Sequence, residues 1–542
     1  MKRISVLFVV LVAVGAMQAV PAYRGPYAGF LQDGTNVCAY RYGDEFFSWF
    51  QLEDGAWVTR LADGSFMEID SLTTREINQR RSIAMQRRTR NVTTEPYPLN
   101  IAPRGLIILV SFKDLAFTTP KQTIDSMMMG KNFSRSYSYA DARGQIHNIM
   151  AQGSAWQYFH DVSMGQYSPQ FDVVGPVTVS KNMKYYGQND SNDQDMYAEV
   201  MVQEACRLAQ SECGVDFSVY DNDNDGEVDF VYVIYAGYGE ADTEDENTIW
   251  PHSYWLSATN RCITLNDKKV DLYACGSELN GSSDKYDGIG TFCHEFSHVL
   301  GLPDMYTTSS LANFKTLGSW DIMDYGPYNN NGNTPPSYSA YERFFMGWLT
   351  PELLTESKQQ HLENLTTSNT ACLISTTNSH NLIGNDPNPK TFYLLENRQQ
   401  TGWDSYIPGH GLMITKINFS YSAWENNTVN NSANSQGVDI IEADGKTSYR
   451  LYSDGKATDL FPAGATEYTK IENHYITDIA EDGDIVRFNH NLSDALSSPD
   501  EAEEQIVGIY TVTGIPVAMS DVLPQGVYVV RTANNVKKII IQ

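Results

Sequence analysis

The segment 294–304, His-Glu-Phe-Ser-His-Val-Leu-Gly-Leu-Pro-Asp, constrains this chain more than any other. It reads as a helix over 290–300 that ends at Gly301. Residues four apart on a helix lie one turn above each other, so His294 and His298 can aim two imidazoles at one ion, with Glu295 beside the open coordination position. Glycine permits a sharp departure from the helix and proline prevents its continuation, so Asp304 can swing back as a third ligand. Zinc in such a site makes its water nucleophilic near neutral pH, and the neighbouring carboxylate takes the proton and passes it to a leaving amine. The bland alternative is two histidines on an ordinary helix. His-Glu-x-x-His arises by accident in roughly 1 in 100 chains of this length, and the added glycine and acid lower that about a hundredfold.

Further along comes Ser319-Trp-Asp-Ile-Met-Asp-Tyr-Gly326. Alone, Met323 would be a core methionine; after an extended zinc helix it matches the methionine turn beneath the metal in metzincin peptidases. Tyr325, two residues on, is then placed to reach the metal or the oxyanion. These motifs, with Trp156-Gln-Tyr-Phe159, Ser163-Met-Gly165 and Phe392-Tyr-Leu-Leu-Glu-Asn-Arg398, resemble the immune inhibitor A family of bacterial secreted metallopeptidases over residues 35 to 490. The resemblance implies an N-terminal propeptide, a metzincin-like catalytic domain and a β-sandwich after it. Asp304 departs from the commoner metzincin histidine but agrees with this family. Glu342, on a helix expected over 337–348, is the alternative third ligand, in the manner of thermolysin-like enzymes.

Asp221-Asn-Asp-Asn-Asp-Gly226-Glu-Val-Asp229 spaces carboxylates every second residue around a bend, as the first half of an EF-hand loop does. Asp221, Asp223, Asp225 and Asp229 are therefore expected calcium ligands. The twelfth position is Tyr232, so the loop should run into a strand instead of a second helix.

The 542 residues exceed one core, and 42% hydrophobic content supplies several. A formal net charge of -28 disfavours nucleic acid as a partner. Lys2 and Arg3 before the apolar run Ile4 to Ala16, then small residues, read as a secretory signal cleaved after Ala19 or Ala22. No later apolar run is long enough to span a bilayer. Seven scattered cysteines (Cys38, Cys206, Cys213, Cys262, Cys275, Cys293, Cys372) suggest occasional disulfides, with Cys262 and Cys275 the best pair, and Cys38 able to cap the zinc as a thiolate.

Composition marks an arginine-rich connector and an acidic linker (493–504), and with what the resemblance implies the chain divides into a signal peptide (1–22), a propeptide with that processing connector (23–95), a catalytic domain (96–350), a β-sandwich (351–492) and, after the linker, a terminal β-domain (505–542). Residues 36 to 70 read as a meander with turns at Asp54-Gly55 and Asp63-Gly64. Leu106-Ile-Ile-Leu-Val-Ser-Phe112 and Val228 to Tyr235 read as strands, 142–162 and 194–211 as helices. The terminal module, of two or three strands, resembles the sorting domain of the type IX secretion system of certain Gram-negative bacteria. The fold class expected is α+β multidomain. The function expected is a secreted zinc endopeptidase made as a zymogen, at the surface of or outside a Gram-negative bacterium. Its partners would be protein or peptide substrates, its own propeptide and the export machinery. The competing expectation is a zinc- and calcium-stabilised surface binding protein whose catalysis has decayed.

Overall fold

The computed structural model describes residues 13–15, 18–45, 47–61, 63–70, 90–92, 102–190, 194–308, 315–447, 455–492, 506–517, 526–532 and 536–541. Most of the expected signal, most of the arginine-rich connector and the acidic linker lie outside these residues. Two compact units are present, 1–491 and 492–542.

In chain order, the elements that position the site are β1 (Gln18–Ala19), β2 (Arg104–Ser111), α1 (Ala155–Val162), β3 (Gln170–Thr178), α2 (Ala198–Cys213), β4 (Val231–Tyr238), β5 (His252–Trp255), β6 (Leu272–Asn280) and α3 (Gly290–Val299). The central sheet runs β3-β2-β4-β6-β5-β1. Strands β3, β2, β4 and β6 are parallel, whereas β5 is antiparallel to β6 and carries β1 on its free edge. A parallel sheet must be covered on both faces, and the sequence of β2 meets that demand with an unbroken apolar run. Leu106, Ile108 and Val110 face α2, while Ile107 and Leu109 face α1 and α3. In α3, Phe292 packs against Phe171 and Tyr232, and Phe296 against Phe159 and Phe230, with ring centroids 4.8 to 5.0 Å apart. Burying each of these rings contributes roughly 1.5–3 kcal/mol, and together they fix the rotation of α3 about its axis.

The expected meander forms as five antiparallel strands between Tyr27 and Glu68, and Asp54 and Asp63 each accept the amide two residues on at its turns. It docks on the region of the central sheet through Arg41, whose guanidinium donates to the Glu240 carbonyl, and an Arg60–Glu244 ion pair. Residues 142–152 are not helical. Ser134–Ala140 and Ile146–Gln152 pair as a hairpin, and α1 begins only after Gly153, at positive φ, and the Ser154 cap. Pairing with the preceding strand outweighs the helical pattern there. The helix near 337–348 is shorter than expected, Ala340–Phe345.

Beyond residue 350, a five-stranded and a four-stranded sheet face each other around Leu395, Leu412, Ile414, Ile476 and Phe488. The five-stranded sheet is buried on its second face as well. Phe392, Leu394, Met413 and Ile417, alternating with the first set, join the core of the catalytic region. The sandwich is thus continuous with the catalytic region and not a separate body. The terminal unit forms four strands, one more than the largest number expected, because Pro516–Val517 adds to the edge of Ile506–Thr511. Among the described residues no disulfide is formed. The expected Cys262–Cys275 pair does not form: the Cys262 thiol points at the Val270 carbonyl, while Cys275 is buried beside His252.

Candidate active site

With the phenylalanine face of α3 committed to the core, His294 and His298 share the opposite face. The His294 Nδ1 donates to the Ile322 carbonyl at 2.7 Å and the His298 Nδ1 to the Leu302 carbonyl at 2.8 Å. A carbonyl can only accept, so each Nδ1 carries a proton and each Nε2 is turned toward the other donors. Those two atoms lie 3.1 Å apart, and Asp304 Oδ1 lies 3.2 Å from each. Two ring nitrogens and a carboxylate oxygen at such separations need positive charge among them, either a proton, as the rise of His294 to about 9 records, or a metal ion. His294, Glu295 and Asp304 are fully buried, so solvent cannot stand in for that charge. Two imidazoles and one carboxylate are donors that suit zinc, and the residues fit that ion.

Gly301, at φ +100°, makes the turn that returns Asp304 to the histidines. Asn427 then holds Asp304: its Oδ1 accepts the Asp304 amide at 2.7 Å and its Nδ2 donates to Asp304 Oδ2. Met323 is buried in the turn beneath, where its carbonyl accepts the Met305 amide at 2.8 Å while the neighbouring Ile322 carbonyl orients His294. Glu342 is not at the site. It caps its own helix by accepting the Ser339 amide. Cys38 lies in the meander and is not among the clustered donors.

Burial raises the Glu295 carboxyl to about 8, with Asp304 adding to the rise and His294 opposing it. Burial acts on Asp304 in the same direction, but the two imidazoles outweigh it and hold that carboxyl below the usual range.

A peptide strand crosses this centre. Within β1, Ala19 pairs with His252 and Gln18 with Ser253, antiparallel to the edge strand. The Val20 amide donates to Glu295 Oε1 at 3.0 Å, and the Ala19 carbonyl accepts from the Tyr306 hydroxyl at 2.6 Å. Further on, Trp250 Nε1 holds the Val20 carbonyl and the Tyr328 hydroxyl the Pro21 carbonyl. The Tyr325 hydroxyl, expected at the metal or the oxyanion, accepts the Arg24 amide at 3.0 Å. Tyr306, Trp250, Tyr328 and Asn427 were not singled out in the sequence; Tyr306, two residues after Asp304, is the one whose spacing offered a signal.

Asp221, Asp223 and Asp225 can bring one carboxylate oxygen each within 4.8 Å of the others. Asp229 does not join them. Its carboxylate turns to the Asn222 amide and side chain, and burial raises it to about 6. Lys268 Nζ sits 2.5 Å from Asp221 Oδ2, where it supplies part of the positive charge the loop attracts.

A parallel-sheet domain with one antiparallel edge, a buried His-Glu-x-x-His helix and a returning carboxylate describe a metallopeptidase type of catalytic domain. Residues 102–349 match the family model described as Immune inhibitor A peptidase M6, catalytic domain. The pre-pro-metalloprotease PrtV of Vibrio cholerae serotype O1 (strain M66-2) is 27% identical over 217 residues, covering 35% of this chain and 23% of that protein. Immune inhibitor A of Bacillus thuringiensis subsp. alesti is 25% identical over 268 residues, covering 44% of this chain and 39% of that protein. The chain therefore spans well under half the length of these relatives. The matches support a metallopeptidase over residues 102–349.

Proposed function

We propose that this chain is a secreted zinc endopeptidase made as a zymogen, with His294, His298 and Asp304 holding the metal and Glu295 as general base and acid. The observation that carries this reading is the convergence of three buried donors on one point beside Glu295, with an extended peptide laid across them. Zinc would supply a Lewis acid and a water that is nucleophilic near neutral pH. Glu295 would accept a proton from the attacking water as the water oxygen adds to the carbonyl carbon. The same carboxylate delivers the proton to the amide nitrogen, and the carbon–nitrogen bond breaks to give a free acid and an amine. The Val20 amide on Glu295 Oε1 supports this assignment, because that is the atom a leaving nitrogen would occupy. Trp250, Tyr325 and Tyr328 hold backbone on the leaving side. Asp221, Asp223 and Asp225 bind a structural calcium.

Latency follows from the strand in the cleft. After cleavage at Ala19, residues 20–24 would remain in the groove a substrate enters, held by Trp250, Tyr325 and Tyr328 and anchored by the meander that follows. If signal removal occurs after Ala19, Val20 begins the chain and its amino group faces Glu295. The terminal domain would address the protein to the surface of a Gram-negative cell through the export machinery. A decayed, metal-stabilised binding protein is the competing reading, and retention of Glu295 beside both histidines weighs against it.

Casein hydrolysis by the processed protein, with and without a zinc chelator, separates the two. Glu295→Ala should abolish cleavage and keep bound zinc, since Glu295 is not a ligand. Cleavage above a few percent of the unmutated rate by that variant would sink the mechanism.

A further inference from the structure

The segment through the cleft has the form of a substrate. It adds as an antiparallel strand to the free edge of β5, the mode by which extended peptides gain main-chain hydrogen bonds from a sheet. Its register is set at the chemistry. The nitrogen of the Ala19–Val20 bond lies on Glu295, and the oxygen of the same bond lies on the Tyr306 hydroxyl. One peptide bond is thus gripped at both ends by two protein groups, in the position where a bond would be cut.

We propose that Tyr306 is a catalytic residue, the donor to the carbonyl oxygen of the scissile bond as negative charge develops there. This rests on the peptidase reading above. Tyr306 is built to hold its aim. It is buried, and Met305 before it is fixed through its amide by the Met323 carbonyl and through its carbonyl by Asn430 Nδ2. A donor fixed in place before reaction loses little in reorganisation, and its bond strengthens as the oxygen gains charge. Tyr325, the residue the methionine turn nominates for this task, faces the Arg24 amide well down the leaving side, with the Arg24 guanidinium over its ring at 4.6 Å. The two tyrosines divide the work: Tyr306 serves the reacting bond and Tyr325 the backbone beyond it.

The test uses the processed full-length enzyme and a quenched fluorescent peptide. Tyr306→Phe should lower kcat about 100-fold with KM changed less than about threefold, the size of effect seen when one oxyanion donor is removed. Zinc content by mass spectrometry and the thermal midpoint should stay as in the unmutated enzyme. A phosphinic peptide, which mimics the tetrahedral carbon, should lose affinity by the same factor as kcat/KM. An uncleaved substrate peptide bound to Glu295→Ala should lose no more than about threefold in affinity when Tyr306→Phe is added, far less than the phosphinic peptide. The proposal is overturned if Tyr306→Phe keeps kcat within threefold, if it loses zinc in parallel with activity, or if the kcat loss appears in Tyr325→Phe instead. Failure of the peptidase reading itself looks different: the unmutated enzyme then leaves the peptide intact, or Glu295→Ala still cuts it.

Discussion

Asn427 lies more than a hundred residues from the His-Glu-x-x-His helix, yet its side chain makes both contacts that aim Asp304. A ligand's supporting partner commonly changes metal affinity 10- to 100-fold when removed. Asn427→Ala should therefore weaken zinc binding by about that factor, measured by competition with a chromophoric chelator. His298→Ala, which deletes a donor, should lose zinc and activity together. Equal zinc affinity in Asn427→Ala and the unmutated protein would show that the turn at Gly301 alone positions Asp304. Among single residues, those with a motif were legible in sequence: His294, Glu295, His298 and Asp304 lie within one turn and its exit. Asn427 and Trp250 were not, because nothing in a chain's order announces which distant side chain will reach a ligand or a substrate.

At the level of elements, two segments carry their own tests. The acidic loop before β4 holds three carboxylates, with Lys268 paired to one of them among the described residues. Millimolar calcium should raise the thermal midpoint by several degrees, since a ligand at 100 times its dissociation constant adds about 2.7 kcal/mol. Asp223→Asn should remove most of that rise; a midpoint indifferent to calcium in both proteins would leave the loop a solvated turn. The strand in the cleft predicts latency. N-terminal sequencing should find the active form beginning between about residue 75 and residue 105, and an active enzyme still beginning at residue 20 or 23 would refute it. Element types were legible where one periodicity dominated, as in α2 and β2. They were misread at 142–152, where a partner strand decided between helix and sheet; the strands of the sandwich were legible, but its two-sided burial shows only when both of its neighbours are known.

Across the whole molecule, the terminal unit 492–542 is compact by itself, with a four-stranded sheet of its own. Deleting residues 505 to 542 should leave the remaining unit folded and active on casein but held in the periplasm. Cell fractionation decides this: normal levels of the truncated protein at the surface or in the medium would mean that the tail is not a sorting signal.

Local sequence accounts for the His-Glu-x-x-His helix and its returning aspartate, the meander with its two Asp-Gly turns, and the all-apolar central strand. In each of these the physical cause is local, a spacing along one helix, a backbone conformation that glycine favours, or a run that only a doubly covered strand can bury. Tertiary structure alone decided that Ala19 and Val20 lie between Tyr306 and Glu295, that Asn427 rather than a neighbour in sequence steers Asp304, and that Asp229 turns away from the acidic loop. Those outcomes depend on which surfaces meet when separate segments pack, and a contact between residues hundreds of positions apart leaves no periodicity in either.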